Sequence, residues 1–77
     1  MNRECELKVG QNIRMSREKC KMTQDALAAK LQLSGCDITR SAVAKIEVAQ
    51  RHIYPDEIIL IKEILGISFE DIFYGEE

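Results

Sequence analysis

Between Thr23 and Glu47 the chain places two helix-start signals, Thr23 and Thr39, each leading into a short run rich in small apolar residues. The first run carries Ala26, Leu27 and Leu31 on one side, the spacing of an amphipathic helix. The stretch after it, Leu33-Ser34-Gly35-Cys36-Asp37-Ile38, gathers Ser, Gly and Asp and must turn. The second run, Thr39-Arg40-Ser41-Ala42-Val43-Ala44-Lys45-Ile46-Glu47, is a helix with Val43 and Ile46 facing inward. Two helices joined so closely must pack on each other. The second then shows small and basic residues outward, with Ser41, Ala42 and Ala44 permitting close approach and Arg40 and Lys45 able to reach. A DNA major groove admits a helix whose outer side chains let the backbone come near.

The 77 residues suffice for one small core, so a single domain spanning 1–77 is expected. No apolar run approaches the roughly 20 residues of a membrane helix. The opening Met1-Asn2-Arg3-Glu4-Cys5-Glu6 lacks the basic-then-apolar order of a secretory signal, making a cytoplasmic location the expectation. Cys5, Cys20 and Cys36 are too widely spaced for a zinc site, and reduced thiols suit that compartment. No metal or other cofactor is expected. The net charge of −2 looks wrong for a nucleic-acid binder, but the charges are segregated. Ten Lys/Arg face six Asp/Glu up to His52, and one faces seven beyond it. A local basic face is what a phosphate backbone meets, and an acidic far end orients the approach.

Five short helices and no sheet are predicted. The first covers Lys8 to Lys21, with Val9, Ile13 and Cys20 on its apolar side. The second runs over about 23–32 and the third over about 39–48. Pro55 opens a fourth at its first position, with Asp56 and Glu57 in the first turn and Gly66 as its left-handed stop. Its apolar residues, Ile58, Ile59, Leu60, Ile61, Ile64 and Leu65, occupy more than one side, so several neighbours should bury it. Ser68 and Asp71 form a capping-box pattern for a last short helix holding Phe69, Ile72 and Phe73, with Phe69 and Phe73 expected to close the core.

Four segments in order resemble the phage-repressor helix-turn-helix family (Cro/cI-like, XRE). They are Val9-Gly10-Gln11-Asn12-Ile13-Arg14 with Arg17, then Met22-Thr23-Gln24 with Ala26-Leu27-Ala28. Ser41, Val43 and Lys45-Ile46-Glu47 follow, and Leu65-Gly66-Ile67-Ser68 with Asp71-Ile72-Phe73 closes the series. The likeness covers Lys8 to Phe73 and implies an all-α, compact five-helix lambda-repressor-like domain whose third helix reads bases through its N-terminal residues. Carried onto this chain, the base-reading set is Arg40, Ser41, Ala44 and Lys45. Thr23, Gln24, Thr39, Arg51 and His52 are expected along the DNA backbone. Arg17 and Glu47 match a family ion pair with a structural role.

The chain departs from that pattern twice. Five extra residues, Leu33 to Asp37, separate the second and third helices, and we expect this loop at the DNA-facing edge with Gly35 and an exposed Cys36 near the sugar-phosphate backbone. Ala49 stands where glycine commonly follows the third helix, so that helix is expected to run on or end in a looser turn.

The residues therefore point to a sequence-specific transcriptional regulator with double-stranded DNA as its partner. The alternative is a protein-interaction module, an antitoxin-like adaptor on the same fold. Monomer and homodimer stay open, pairing through the C-terminal helices being the form a dimer would take. Catalysis is not expected: His52 is the only histidine and has no nucleophile or acid beside it in sequence, and Asp56, Glu57, Asp71, Glu76 and Glu77 lie at helix starts and the chain end.

Overall fold

The computed structural model describes residues 1–75. Five helices follow one another, α1 (Arg3–Lys19), α2 (Gln24–Leu33), α3 (Arg40–Glu47), α4 (Pro55–Leu65) and α5 (Phe69–Phe73), and the described residues contain no strand.

Side-chain oxygens start most of these helices by satisfying N–H groups that have no partner within the first turn. Thr23 accepts from the Ala26 N–H at 3.0 Å and Thr39 from the Ala42 N–H at 3.2 Å. Ser68 and Asp71 exchange both bonds of a capping box. At α4 the box is partial in kind: Pro55 takes the first position and Glu57 accepts from the Tyr54 N–H at 3.0 Å. The start of α1 corrects the expected boundary. Asn2 caps it by accepting from the Cys5 N–H at 2.7 Å, so α1 begins at Arg3, not Lys8. Its first two turns escape the apolar pattern because their buried member is Glu6, while Leu7 is exposed.

The helix ends correct a second expectation. Ala49 does adopt the left-handed conformation, φ 58°, where a looser ending was expected. Its N–H donates to the Ile46 carbonyl, and the Gln50 N–H donates to that of Lys45, the two bonds of a Schellman motif. Arg3 then donates to the Ala49 carbonyl at 3.1 Å. Lys21 ends α1 in the same way with φ 54°, a second non-glycine residue in a region that disfavours a Cβ. Gly35 and Gly66 make the corresponding turns after α2 and α4.

All five helices meet in one core, with Val9 and Ile13 of α1 against Leu27, Leu31, Val43, Ile46, Ile61 and Ile72. Helix α1 crosses closely over the end of α3. A Cβ on Gly10 would lie 2.5 Å from the Ile46 carbonyl oxygen and 2.8 Å from that of Glu47, so only glycine allows the approach. At α5, Ile72 is fully buried and Phe73 packs at the core's edge, but Phe69 is exposed and lies beneath the Lys62 ammonium, 5.2 Å from its ring centre. The expected core role of Phe69 is thus overturned by the rotation of a five-residue helix. Cys20, expected on the apolar side of α1, is exposed.

The connection between α2 and α3 is bound to the body more firmly than expected. Leu33 prolongs α2, and Gly35 closes that helix with φ 86°. Ile38 is buried, and Gln32 donates to its carbonyl at 2.9 Å. Cys36 is half-buried against the core, where burial pushes its thiol up, with Asp56 and Glu57 adding to the shift. It is not the open thiol expected beside a DNA backbone.

Candidate nucleic-acid interface

On α3 the inward residues Val43, Ile46 and Glu47 leave Arg40, Ser41 and Lys45 exposed and Ala44 half-exposed on the outer side. Helical periodicity makes this one continuous face. It bears two long cations, and between them only a hydroxymethyl and a methyl group hold a ligand away from the backbone.

A groove runs along each side of that helix. One, between α3 and the ends of α1 and α2, is lined by Arg14, Thr23, Gln24, Arg40 and Ala44, with Asp25 opposite Arg40. The other, between α3 and the segment leading to α4, is lined by Thr39, Ser41, Lys45, Gln50, His52 and Tyr54, and by Arg51 at its wall. All nine residues expected at bases or backbone border one of these grooves. Arg14, Gln50 and Tyr54 belong to the same surfaces and were not expected there. Their signal was weak, each being a polar residue in a segment whose facing depends on tertiary packing.

Beneath the first groove, Arg17 and Glu47 meet. The Arg17 guanidinium donates through Nε to Glu47 Oε2 at 2.8 Å and through Nη2 to Oε1 at 3.1 Å, with both side chains buried. Its remaining arm donates to the Met22 carbonyl at 2.7 Å. Hydrogen bonding to Glu47 raises the Arg17 pKa above the ordinary arginine value against the cost of burial. Gln24 of α2 donates to the same Glu47 carboxylate at 3.0 Å. One carboxylate therefore ties α1 and α2 to the last turn of α3, fixing the rotation that presents the outer face. One amide hydrogen of Gln24 is used within the protein.

The second groove holds two further pairs. Arg51 lies on Glu57 with two bonds of 3.0 Å and donates to the His52 carbonyl at 2.9 Å. Burial alone would push the Glu57 carboxyl up, but hydrogen bonds from Arg51 and the Tyr54 N–H hold it below the usual range. Arg51, which also borders this groove, directs its charge onto α4, where a buried carboxylate at the helix start requires a counter-ion. His52 keeps its ring largely in solvent, its side chain 75% exposed, while Nδ1 meets both oxygens of the buried Glu6 at 2.8 and 3.0 Å. The Ile53 N–H reaches the same carboxylate at 3.4 Å, and hydrogen bonding to His52 holds Glu6 below the usual carboxylate range. Sequence reasoning missed Glu6. Its one clue was Asn2, a helix-start residue that moves Glu6 into α1.

By contrast, the Arg40–Asp25 pair is loose, Nε to Oδ1 at 3.9 Å with side chains 67% and 74% exposed. Among the described residues, Arg40 meets a carboxylate only through Nε, and its terminal fork has no partner. No group of three His, Cys, Asp or Glu capable of holding a metal ion occurs among the described residues, and none of their helices is long and apolar enough to cross a membrane.

Comparison with known proteins agrees with this geometry. A family model described as helix-turn-helix matches residues 13–72, from the middle of α1 to α5. Searches of the curated proteins and of the solved structures returned nothing that matches. With most of its length matched, the chain belongs to the XRE (Cro/cI-like) helix-turn-helix family of DNA-binding domains.

Proposed function

We propose that this chain is a transcriptional regulator that binds operator DNA sequence-specifically, with α3 seated in the major groove. The observation that carries the reading is the pair of grooves along an outward-facing α3 whose exposed side chains are Arg40, Ser41 and Lys45. A helix entering a groove about 12 Å wide needs room on both sides for the two sugar-phosphate strands, and these concave surfaces supply it. Arg40 and Lys45 read base edges, Arg40 through a free fork suited to guanine O6 and N7, while Ser41 and Ala44 permit the approach. Thr23 and Gln24 on one flank, and Thr39 and His52 on the other, hold the phosphates. Arg51 acts there mainly by bracing the segment. Exposed Ile59 of α4, Phe69 of α5 and Tyr74 just after it are apolar residues that a second copy would cover to set two half-sites one helical turn apart.

Selection of bound duplexes from random DNA, followed by electrophoretic shift at physiological salt, tests the proposal. A recovered motif bound more tightly than scrambled duplex supports it. Binding that is weak, uniform across sequences and abolished by salt would favour an adaptor acting through a protein partner instead.

A further inference from the structure

We propose that His52 is a proton-dependent phosphate clamp whose ring is set by the buried carboxylate of Glu6, so that DNA binding takes up a proton at this site. The inference rests on the reading of α3 and its grooves as the DNA-binding surface, and adds to it a positioning residue, Glu6, and a dependence on pH.

The argument follows from the two ring nitrogens. An imidazole has one nitrogen bearing hydrogen when neutral and two when charged. Nδ1 of His52 faces two carboxylate oxygens of Glu6, at 2.8 and 3.0 Å. A carboxylate has only lone pairs to offer, so Nδ1 carries the hydrogen in either charge state. Neutral His52 thus directs a bare lone pair from Nε2 into the solvent, and a lone pair cannot donate to a phosphate oxygen. Only the imidazolium offers an N–H at that position. The ring sits in the groove beside α3 with Lys45, Gln50 and Tyr54, where the backbone of a seated duplex would run.

Charged groups border the ring from several elements. From α1, the Glu6 carboxylate faces the ring directly; Arg3, nearby on the same helix, is held on the Ala49 carbonyl, and the chain's amino group also acts on Glu6. From α3 the groove receives the Lys45 ammonium. In the connecting segment Arg51 is occupied by Glu57 of α4 and stacks 5.9 Å from the Tyr54 ring centre. The buried Glu6, held by its bonds to His52 and the Ile53 N–H, cannot itself contact DNA. Its effect on a duplex passes through the imidazole.

The test measures the association constant for the selected duplex between pH 5.5 and 8.0 at fixed salt, for the wild type, His52→Gln and Glu6→Gln. Wild-type affinity should fall as pH rises from 5.5 to 8.0, by up to tenfold per pH unit for one linked proton. His52→Gln should flatten the profile, binding more weakly than the wild type at pH 5.5. Glu6→Gln keeps an oxygen for the Ile53 N–H, but its amide can also donate to Nδ1, freeing the neutral ring to carry hydrogen on Nε2; its slope should be smaller than that of the wild type. A full slope in either variant, or a flat profile for the wild type, would overturn the clamp. Nitrogen-15 chemical shifts of His52 at pH 8.0 give a reading without any variant: hydrogen on Nδ1 agrees, and hydrogen on Nε2 refutes the mechanism. Failure of the wild type to prefer any selected duplex at pH 5.5 would reject the DNA-reading proposal, whereas specific binding without the pH slope would reject this inference alone.

Discussion

The two ends of α3 are held in opposite ways. At its C-terminal end Glu47 is buried under Arg17 and Gln24, α1 presses its Gly10 against the Ile46 and Glu47 carbonyls, and a Schellman turn closes the helix. At the N-terminal end Thr39 caps the backbone, and Arg40 and Ser41 stand in solvent, Arg40 with a loose Asp25 contact. The same chemistry, an arginine with a carboxylate, occurs at both ends with different consequences. An exposed pair near 4 Å contributes about 0–1 kcal/mol, whereas breaking a buried pair strands a charge at a cost of about 3–5 kcal/mol. Rigidity is concentrated at one end so that the other can be aimed.

The strongest test of this contrast removes the buried carboxylate. Glu47→Ala leaves the Arg17 guanidinium without its acceptor and releases the Gln24 amide, so we expect a loss of about 3–5 kcal/mol. In a domain of this size that lowers Tm by about 12 °C or more, or leaves the protein unfolded at ambient temperature. Thermal melting followed by circular dichroism reads it directly. A Tm within a few degrees of the wild type would show that the pair does not fasten α3.

Gly10→Ala attacks the same end sterically. The added Cβ would meet two backbone oxygens, which cannot swing aside as a side chain could. Overpacking costs about 1–3 kcal/mol, part of which is returned by the roughly 1 kcal/mol better helix propensity of alanine. We therefore expect a net loss of stability; an unchanged or higher Tm would mean that α1 can retreat from α3 without cost.

Which parts of this arrangement could be read from the chain follows from the same division. Thr23, Thr39, Pro55, Gly66 and Ser68 act on backbone groups within a few residues, so they announced their helices locally. The five-residue α5 carries too few apolar positions to set its own rotation, and tertiary packing chose Ile72 over Phe69 for the interior. Glu6 receives its meaning from His52, 46 residues away, and no local rule predicts a buried acid there. Arg17 and Glu47, 30 residues apart, were legible only through likeness to a family. Ala49 misled because the preference for glycine in a left-handed turn is a matter of energy and can be outweighed by the bonds the turn makes.

The open end is probed by Arg40→Ala and Lys45→Ala. Each should cost about 1–3 kcal/mol in binding to the selected duplex and relax discrimination at one or two positions. Neither should move Tm by more than about 4 °C, since surface changes of this kind rarely exceed about 0.5 kcal/mol. Variants that bind all sequences as the wild type does would remove the outer face of α3 from the reading.

The smallest expected effect, and the only gain, comes from Ala49→Gly. Ala49 holds φ 58°, where a Cβ crowds the following carbonyl at a cost of about 1–2 kcal/mol. Glycine removes that strain but enters folding with a more flexible unfolded chain, which returns about 0.4–1 kcal/mol of the gain. The net expectation is a stabilisation of about 0.5–1 kcal/mol, a rise in Tm of a few degrees. Because Arg3 bonds the Ala49 carbonyl and both Schellman bonds use backbone atoms, the substitution leaves every hydrogen bond of the turn in place. DNA affinity should not change, since the gain falls entirely at the fastened end of α3. A lower Tm would show that the Ala49 methyl packs to more effect than its strain costs. A changed affinity at unchanged Tm would show that this turn helps to aim the helix, breaking the division between its two ends.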